Sequence, residues 1–335
     1  IQVAKDLTNS LIDRKNILNN DYALNKIEED LSLGGYYWKD EFWFTKNDLS
    51  NLFDVDIRTI EYCLSSNEEE LKLNGYTVLK GKNLKDFKSV LPPEYNLAKT
   101  TVLSIFSFRA TLNLAMLLTD SEKAKQIRSR ILDIVIDVMT EKTGGQTKYI
   151  NQRDPEYLIG AFRENQERKK FTDALNKYVN MGNYKYGYFT NRIYECIFKE
   201  NAKEYRKILN LEKKDKTRDT MYSEILTNIA SFEAGLAYEF ETESKIKKRK
   251  LTRDEADTVL NRFANHPMHK PHLDDARAKM ASRDLCFRDA LHYKLESYIS
   301  SVDKKDFDKF LGDVSKSLEQ QIEENKEIFE RLKDK

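Results

Sequence analysis

TKNDLSNLFDVDIRTIEYCL, residues 45–64, is the stretch whose reading decides the fold. Thr45 followed three residues on by Asp48 has the spacing of a capping box: the threonine hydroxyl takes a helical N–H and the acidic side chain reaches back to the cap's own N–H. Leu49 and Leu52-Phe53 then lie on one face of a short helix, Asp54-Val55-Asp56 makes a turn, and Ile57, Ile60 and Leu64 recur at helical spacing. This is helix-turn-helix spacing. Burying Leu49, Leu52, Val55 and Ile60 together would hold the second helix at a fixed angle and leave Arg58, Thr59, Glu61 and Tyr62 outside. In a DNA reader the first exposed turn of that helix enters the major groove, and Arg58 is the side chain best suited to guanine or phosphate. The same spacing also fits a helical hairpin that only packs.

Working outward, residues 1–35 alternate polar and apolar positions in a helix-like way and end at Gly34-Gly35, which predicts an N-terminal helical arm. YYWKDEFWF, residues 36–44, reads as a strand or hairpin. Beyond the central stretch, Glu68, Glu69 and Glu70 are followed by Lys72, Lys80, Lys82, Lys85 and Lys88 around GYTVLKGKNLKDF. A wing-like hairpin there would supply phosphate contacts, with Lys80, Lys82 and Lys85 as candidates. From residue 101, TVLSIFSFRATLNLAMLL is continuously apolar and predicts a core helix, and Ser121 caps a helix whose Ala124, Ile127, Ile131, Ile134 and Val138 form one stripe. TGGQTK, residues 143–148, is the clearest break and sets the end of a helix-turn-helix domain over 36–143.

The second half predicts a helical domain over 149–300. Asp154-Pro155 starts a helix to about Val179, NMGNYKYG interrupts, residues 189–209 and 217–250 make two further helices, and Thr252 with Glu255 is another capping box. KIKKRK, residues 245–250, is either a solvated helix end complementing the dipole or a second DNA contact. Residues 301–335 form an amphipathic helix with Phe307, Leu311, Val314, Leu318, Ile322, Ile328 and Leu332 on one face, able to pair with a second copy or to pack on its own core. The fold class that follows is mainly α: an N-terminal helix-turn-helix domain with a small β hairpin or wing, then a C-terminal multi-helix domain.

Composition agrees with helices. Among 335 residues only 11 are Gly and 5 Pro, against 18 Tyr and 17 Phe. Cys63, Cys196 and Cys286 are odd in number and far apart, which argues against a disulfide framework. No run approaches the roughly 20 apolar residues of a membrane span, and no signal-peptide pattern opens the chain, so a cytoplasmic protein without membrane contact is expected. The balance of 57 basic and 56 acidic residues, with 13 against 17 in residues 1–100, gives no global attraction to nucleic acid. Binding to double-stranded DNA must rest on local patches. A dimer or other homo-oligomer would present two recognition helices and compensate for the weakly charged monomer.

The order EFWFTKNDLSNLFDVDIRTIEYCLSSNEEELK, then a short basic segment, the apolar segment and SEKAKQIRSRIL, resembles the RhuM virulence-associated family, with weaker likeness to phage anti-repressor domains. Trp43-Phe44-Thr45 stands where that family has a Trp-Leu-Thr-like run, and Phe53-Asp54-Val55 where it has a Phe-Gly-Val-like turn, with Asp in place of the small residue. Asn201-Ala202-Lys203-Glu204 is similar to its Gly-x-Thr-Ala-x-Glu run in reduced form. The likeness is strong over residues 41–71. The resemblance implies a DNA-binding bacterial protein associated with mobile elements or phage defence and carries no known catalytic activity; no cofactor is expected.

HPMHKPHLDD, residues 266–275, holds three of the chain's four histidines. His266, His269 and His272 with a nearby carboxylate are candidate zinc ligands, although Pro267 and Pro271 prevent a regular helix from aligning them and the spacing matches no strong zinc signature. The His-Pro start is similar to that of Fic-type nucleotide transferases, but the segment has no glycine to fold the phosphate-cradling nest. An alternative function is a metal-dependent nuclease or toxin effector sited around residues 266–292, with Asp274, Asp275, Asp284, Asp289 and His292 meeting in space. Cys286 and His292, six residues apart, would lie on different helix faces, and both read as structural.

Overall fold

The structure is a computed structural model; it describes residues 6–312 apart from 94, 96, 98 and 146, and within 313–335 only residues 320, 323–327 and 330. The chain divides into two compact units, residues 1–141 and 142–335. The first carries 18 Lys and Arg against 22 Asp and Glu, the second 39 against 34, so the near-zero total conceals an acidic unit and a basic one.

In the first unit α1 (Leu11–Asn19) and α2 (Asp21–Leu31) precede β1 (Tyr36–Trp38) and β2 (Glu41–Thr45), then α3 (Lys46–Phe53), α4 (Ile57–Ser66) and α5 (Glu68–Leu73). β3 (Tyr76–Lys80), α6 (Gly81–Lys88), β4 (Val102–Ser107), α7 (Phe108–Leu117) and α8 (Glu122–Lys142) complete it. The aromatic run 36–44 is a two-residue hairpin: Lys39 and Asp40 both have positive φ, the conformation that matches strand twist in such tight turns. The sheet is antiparallel with order β1-β2-β4-β3.

Alternation along the strands sorts the core into two layers. Phe44, Phe106 and Tyr76 face α3, α4, α5 and α7, while Trp43, Ile105 and Leu79 face Leu84 and Phe87 of α6. Helices α1 and α2 are no free arm: Ile17, Leu18, Ala23 and Ile27 bury against Leu112, Met116, Ile131 and Ile134 of α7 and α8. Arg14 of α1 also donates to both oxygens of Glu70 on α5, at 2.7 and 2.8 Å.

The apolar run from residue 101 is β4 followed by α7, separated by Ser107, whose Oγ accepts the Ala110 N–H and caps the helix. Continuous hydrophobicity misled because β4 is an inner strand covered on both faces, which gives the same signal as a buried helix. The basic segment is no wing hairpin. β3 leads directly into α6, and β4, its antiparallel partner, arrives more than twenty residues later.

The second unit comprises α9 (Tyr157–Tyr178), α10 (Lys185–Phe198), α11 (Ala202–Ile208), α12 (Ser223–Lys247), α13 (Arg253–Ala264), α14 (Lys270–Phe287) and α15 (Lys304–Leu311). Helices α9 and α12 pack along one another, and Phe171, Phe189 and Phe240 join α9, α10 and α12 through ring contacts of 5.4 to 6.2 Å. Asp154 lies before a helix that starts at Tyr157, its Oδ1 accepting the Glu156 N–H. The single helix predicted over 189–209 is two, because Lys199 adopts the left-handed conformation and Asn201 starts a new capping box with Glu204. The predicted C-terminal stripe is described only at its start. Phe307 and Leu311 are buried in this unit, with Phe307 against Phe287, whereas Val314, Leu318, Ile322, Ile328 and Leu332 lie outside the described residues.

Candidate nucleic-acid interface

The helix-turn-helix is built by local hydrogen bonds. The Asp48 N–H donates to Thr45 Oγ1 at 3.4 Å and the Thr45 N–H to Asp48 Oδ2 at 2.7 Å, closing the capping box. The other Asp48 oxygen accepts the Tyr36 hydroxyl at 3.3 Å and the Tyr95 hydroxyl, which ties the start of α3 to β1 and to the segment before β4. Asp54 ends α3 in the left-handed region (φ 53°), a conformation Asp tolerates better than most residues with a Cβ. The Val55 N–H then donates to the Ser50 carbonyl at 3.1 Å, the Ser50 hydroxyl donates to the Val55 carbonyl at 2.6 Å, and Asp56 caps α4 through the Arg58 N–H. An αL aspartate and a serine bridge replace the glycine turn.

Leu49, Phe53, Ile60, Cys63 and Leu64 are buried in one cluster with Leu52 and Val55 packed against it, so the inward residues meet as their spacing predicts. Burial pushes the Cys63 thiol up to about 11, which keeps it an inert thiol. Outward, Arg58, Glu61 and Tyr62 are exposed, with Tyr62 at 75%, while Thr59 is half-buried. Glu61 is not available as a base-reading acceptor in the way its position suggests, since it pairs with Lys46 of α3 at 2.9 Å. That leaves Arg58, Tyr62 and Ser65 as the outward face of α4.

Of the five lysines that follow, Lys72 pairs with Glu68 and Glu69, and Lys88 donates to the carbonyls of Leu97 and Thr100. Lys80, Lys82 and Lys85 are exposed and make no ion pair among the described residues. Lys82 and Lys85 ride on α6, which packs on the sheet face opposite α3 and α4, so they do not flank α4 as a wing would. The run 245–250 is largely consumed internally: Lys245 by Glu241, Lys247 and Arg249 by Glu255, and Lys250 by the Asn176 carbonyl.

The histidine stretch is a Pro-started link between α13 and α14. His266 caps a 3-10 turn at Pro267–His269 and Pro271 opens α14. His269 turns inward against the rings of Phe263 and Phe232, at 4.5 and 5.0 Å, where burial lowers its pKa and keeps it neutral. His272 is exposed on α14. Among the described residues no group of three or more His, Cys, Asp or Glu side chains is placed to hold a metal ion. The stretch therefore does not assemble the predicted ligand set, because the turn sends His269 into an aromatic pocket and His272 to the surface.

The carboxylates of the alternative effector site also separate. Asp274 pairs with Lys270 and Arg277, Asp275 with Lys279, and Asp289 is exposed at positive φ. Asp284 and His292 do meet, although His292 lies beyond the end of α14. The His292 Nε2 is 2.6 Å from Asp284 Oδ2 and Nδ1 is 2.6 Å from Glu200 Oε2, with Arg288 Nε 3.1 Å from Asp284 Oδ1. All four side chains are buried, and Arg288 lies 4.5 Å from the Tyr222 ring centroid. Burial alone would depress the His292 pKa, but the two carboxylates outweigh it and raise it to about 9. Two anions and two cations balance in a closed site, which serves to hold Glu200 and the 284–292 segment together. Glu200 and Arg288 carry no sequence signal of this role, being single charged residues among many.

No protein-family model, curated protein or solved structure matches the chain. Among the described residues no helix is long and apolar enough to cross a membrane.

Proposed function

We propose that the first unit binds double-stranded DNA through α4, as part of a RhuM-like protein of a mobile element or phage conflict. The observation that carries this reading is the division of α4 into a locked inner face and an outer face whose Arg58 and Tyr62 have no side-chain partner among the described residues. A helix held at a fixed angle with a free arginine in its first turn has the form used for groove readout. The acidic balance of this unit implies few phosphate contacts, so the salt dependence of binding should be shallow, each contact adding a slope of about −0.9.

The test is a fluorescence-anisotropy titration of the full chain against duplex pools at two salt concentrations, followed by selection of a preferred site. Arg58→Ala should weaken the selected site by about 1–3 kcal/mol, the value of one good arginine–base contact, without changing the circular dichroism spectrum. Equal binding by wild type and variant would remove α4 from DNA recognition.

A further inference from the structure

The ends of α10, α13 and α14 in the second unit enclose a solvent-open groove of about 580 Å³ that the DNA-reading role of α4 does not use. Its lining includes Arg192 and Lys199 from α10 and its cap, and Lys270 and Arg277 from α14, against Glu195 as the one acidic lining residue. Each pair is seven residues apart, two helical turns, so each helix sets two cations on one side roughly 10 Å apart. These walls converge from sequence positions some eighty residues apart.

Several donors are held ready. Arg277 is fixed by donating Nε to the Ile197 carbonyl at 2.8 Å and Nη2 to the Cys196 carbonyl at 2.7 Å, while its Nη1 makes only two 3.4 Å contacts, to Asp274 and the Tyr298 hydroxyl. Lys199 is exposed and lies 5.0 Å from the Tyr298 ring centroid, with no carboxylate partner among the described residues. His266 accepts the Met268 N–H on Nδ1 at 3.3 Å, a bond that does not engage its Nε2. The neighbouring acids cancel this in part. Asp274 is shared between Lys270 and Arg277, and Arg192 pairs with Glu195 and Asp257 and donates to Asn261, so three carboxylates face four cations and Lys199 carries the excess.

We infer that this groove is a binding site for a ligand carrying more than one phosphate group, held by Arg192, Lys199, Lys270, Arg277 and His266. Cations from two facing walls suit a ligand with several anionic groups better than a single carboxylate, and guanidinium groups bind phosphate oxygens in a forked geometry. The phosphates could belong to a free polyphosphate group or to a nucleic-acid strand, and the chemistry of recognition is the same.

The full-length chain would be titrated calorimetrically with inorganic tripolyphosphate and by anisotropy with a labelled single-stranded oligonucleotide. Wild type is compared with Lys199→Ala/Lys270→Ala, its charge-preserving counterpart Lys199→Arg/Lys270→Arg, and Arg58→Ala. The alanine pair should lose roughly tenfold or more in affinity, about 1.4 kcal/mol, with binding retained in the arginine pair and in Arg58→Ala. Loss confined to tripolyphosphate assigns a free phosphoryl ligand; loss confined to the oligonucleotide assigns a strand backbone. Failure of wild type to bind either probe at millimolar concentration, or equal binding by wild type and the alanine pair, overturns the site. Because Arg58→Ala is carried in parallel, failure here is distinct from failure of DNA reading by α4.

Discussion

At the scale of single residues, His292 has the sharpest consequence. Its pKa is raised to about 9 by Asp284 and Glu200, above the unfolded value near 6.5. A cation favoured in the folded state contributes stability that is fully present below pH 6.5 and is lost as pH climbs through 9, on the order of 3 kcal/mol in all. Urea unfolding of wild type should therefore weaken between pH 6.5 and 9.5, while His292→Gln, lower in stability from the start, should lack that slope. A wild-type midpoint that stays flat over the window would contradict an imidazolium in this network. At the acid end the sign reverses: burial raises the Asp284 pKa, but Arg288 and His292 outweigh it and hold it below the ordinary carboxylate value. Its contribution is present above pH 3.8 and lost on further acidification.

At the scale of elements, the turn between α3 and α4 is made by an aspartate in the left-handed region rather than by a glycine. Asp54 sits at φ 53°, where a residue with a Cβ is strained by roughly 1–2 kcal/mol, an amount reduced for Asp by local hydrogen bonding. Asp54→Gly should thus be neutral to stabilising by up to about 1 kcal/mol in chemical denaturation and should leave DNA binding intact, whereas Asp54→Val should cost more than 1 kcal/mol. Destabilisation by the glycine variant would show that the aspartate side chain itself holds the turn. The turn was legible because its signals are three and four residues apart: Thr45 with Asp48, then Leu49 with Phe53 on one side of it and Ile60 with Leu64 on the other. The break between β4 and α7 was harder to see, since Ser107 is a small cap inside an apolar run and only sheet pairing with β2 and β3 makes the preceding residues a strand.

At the scale of the molecule, one chain joins an acidic unit to a basic one. The first unit presents a folded helix-turn-helix on an acidic background, and the second carries the cationic groove. Each has its own buried core, so residues 1–141 and 142–335 expressed separately should each unfold cooperatively in urea, with the alkaline loss of stability confined to the second. A non-cooperative melt from either fragment would mean that its core depends on the other.

By itself the sequence determined the helical class, the capping boxes at Thr45 and Thr252, the extended character of the aromatic run 36–44 and the buried face of the helix-turn-helix. These depend on interactions within a few residues, where backbone geometry leaves few alternatives. Tertiary structure alone decided that α6 covers the sheet face away from α4, that His269 turns into an aromatic pocket and that Glu200 closes on His292, 92 residues along the chain. The same holds for the groove that brings Arg192 and Lys199 opposite Lys270 and Arg277. Single charges on a chain that is 34% charged carry no pairing information; which of them meet is set by helix packing, whose geometry depends on the whole core.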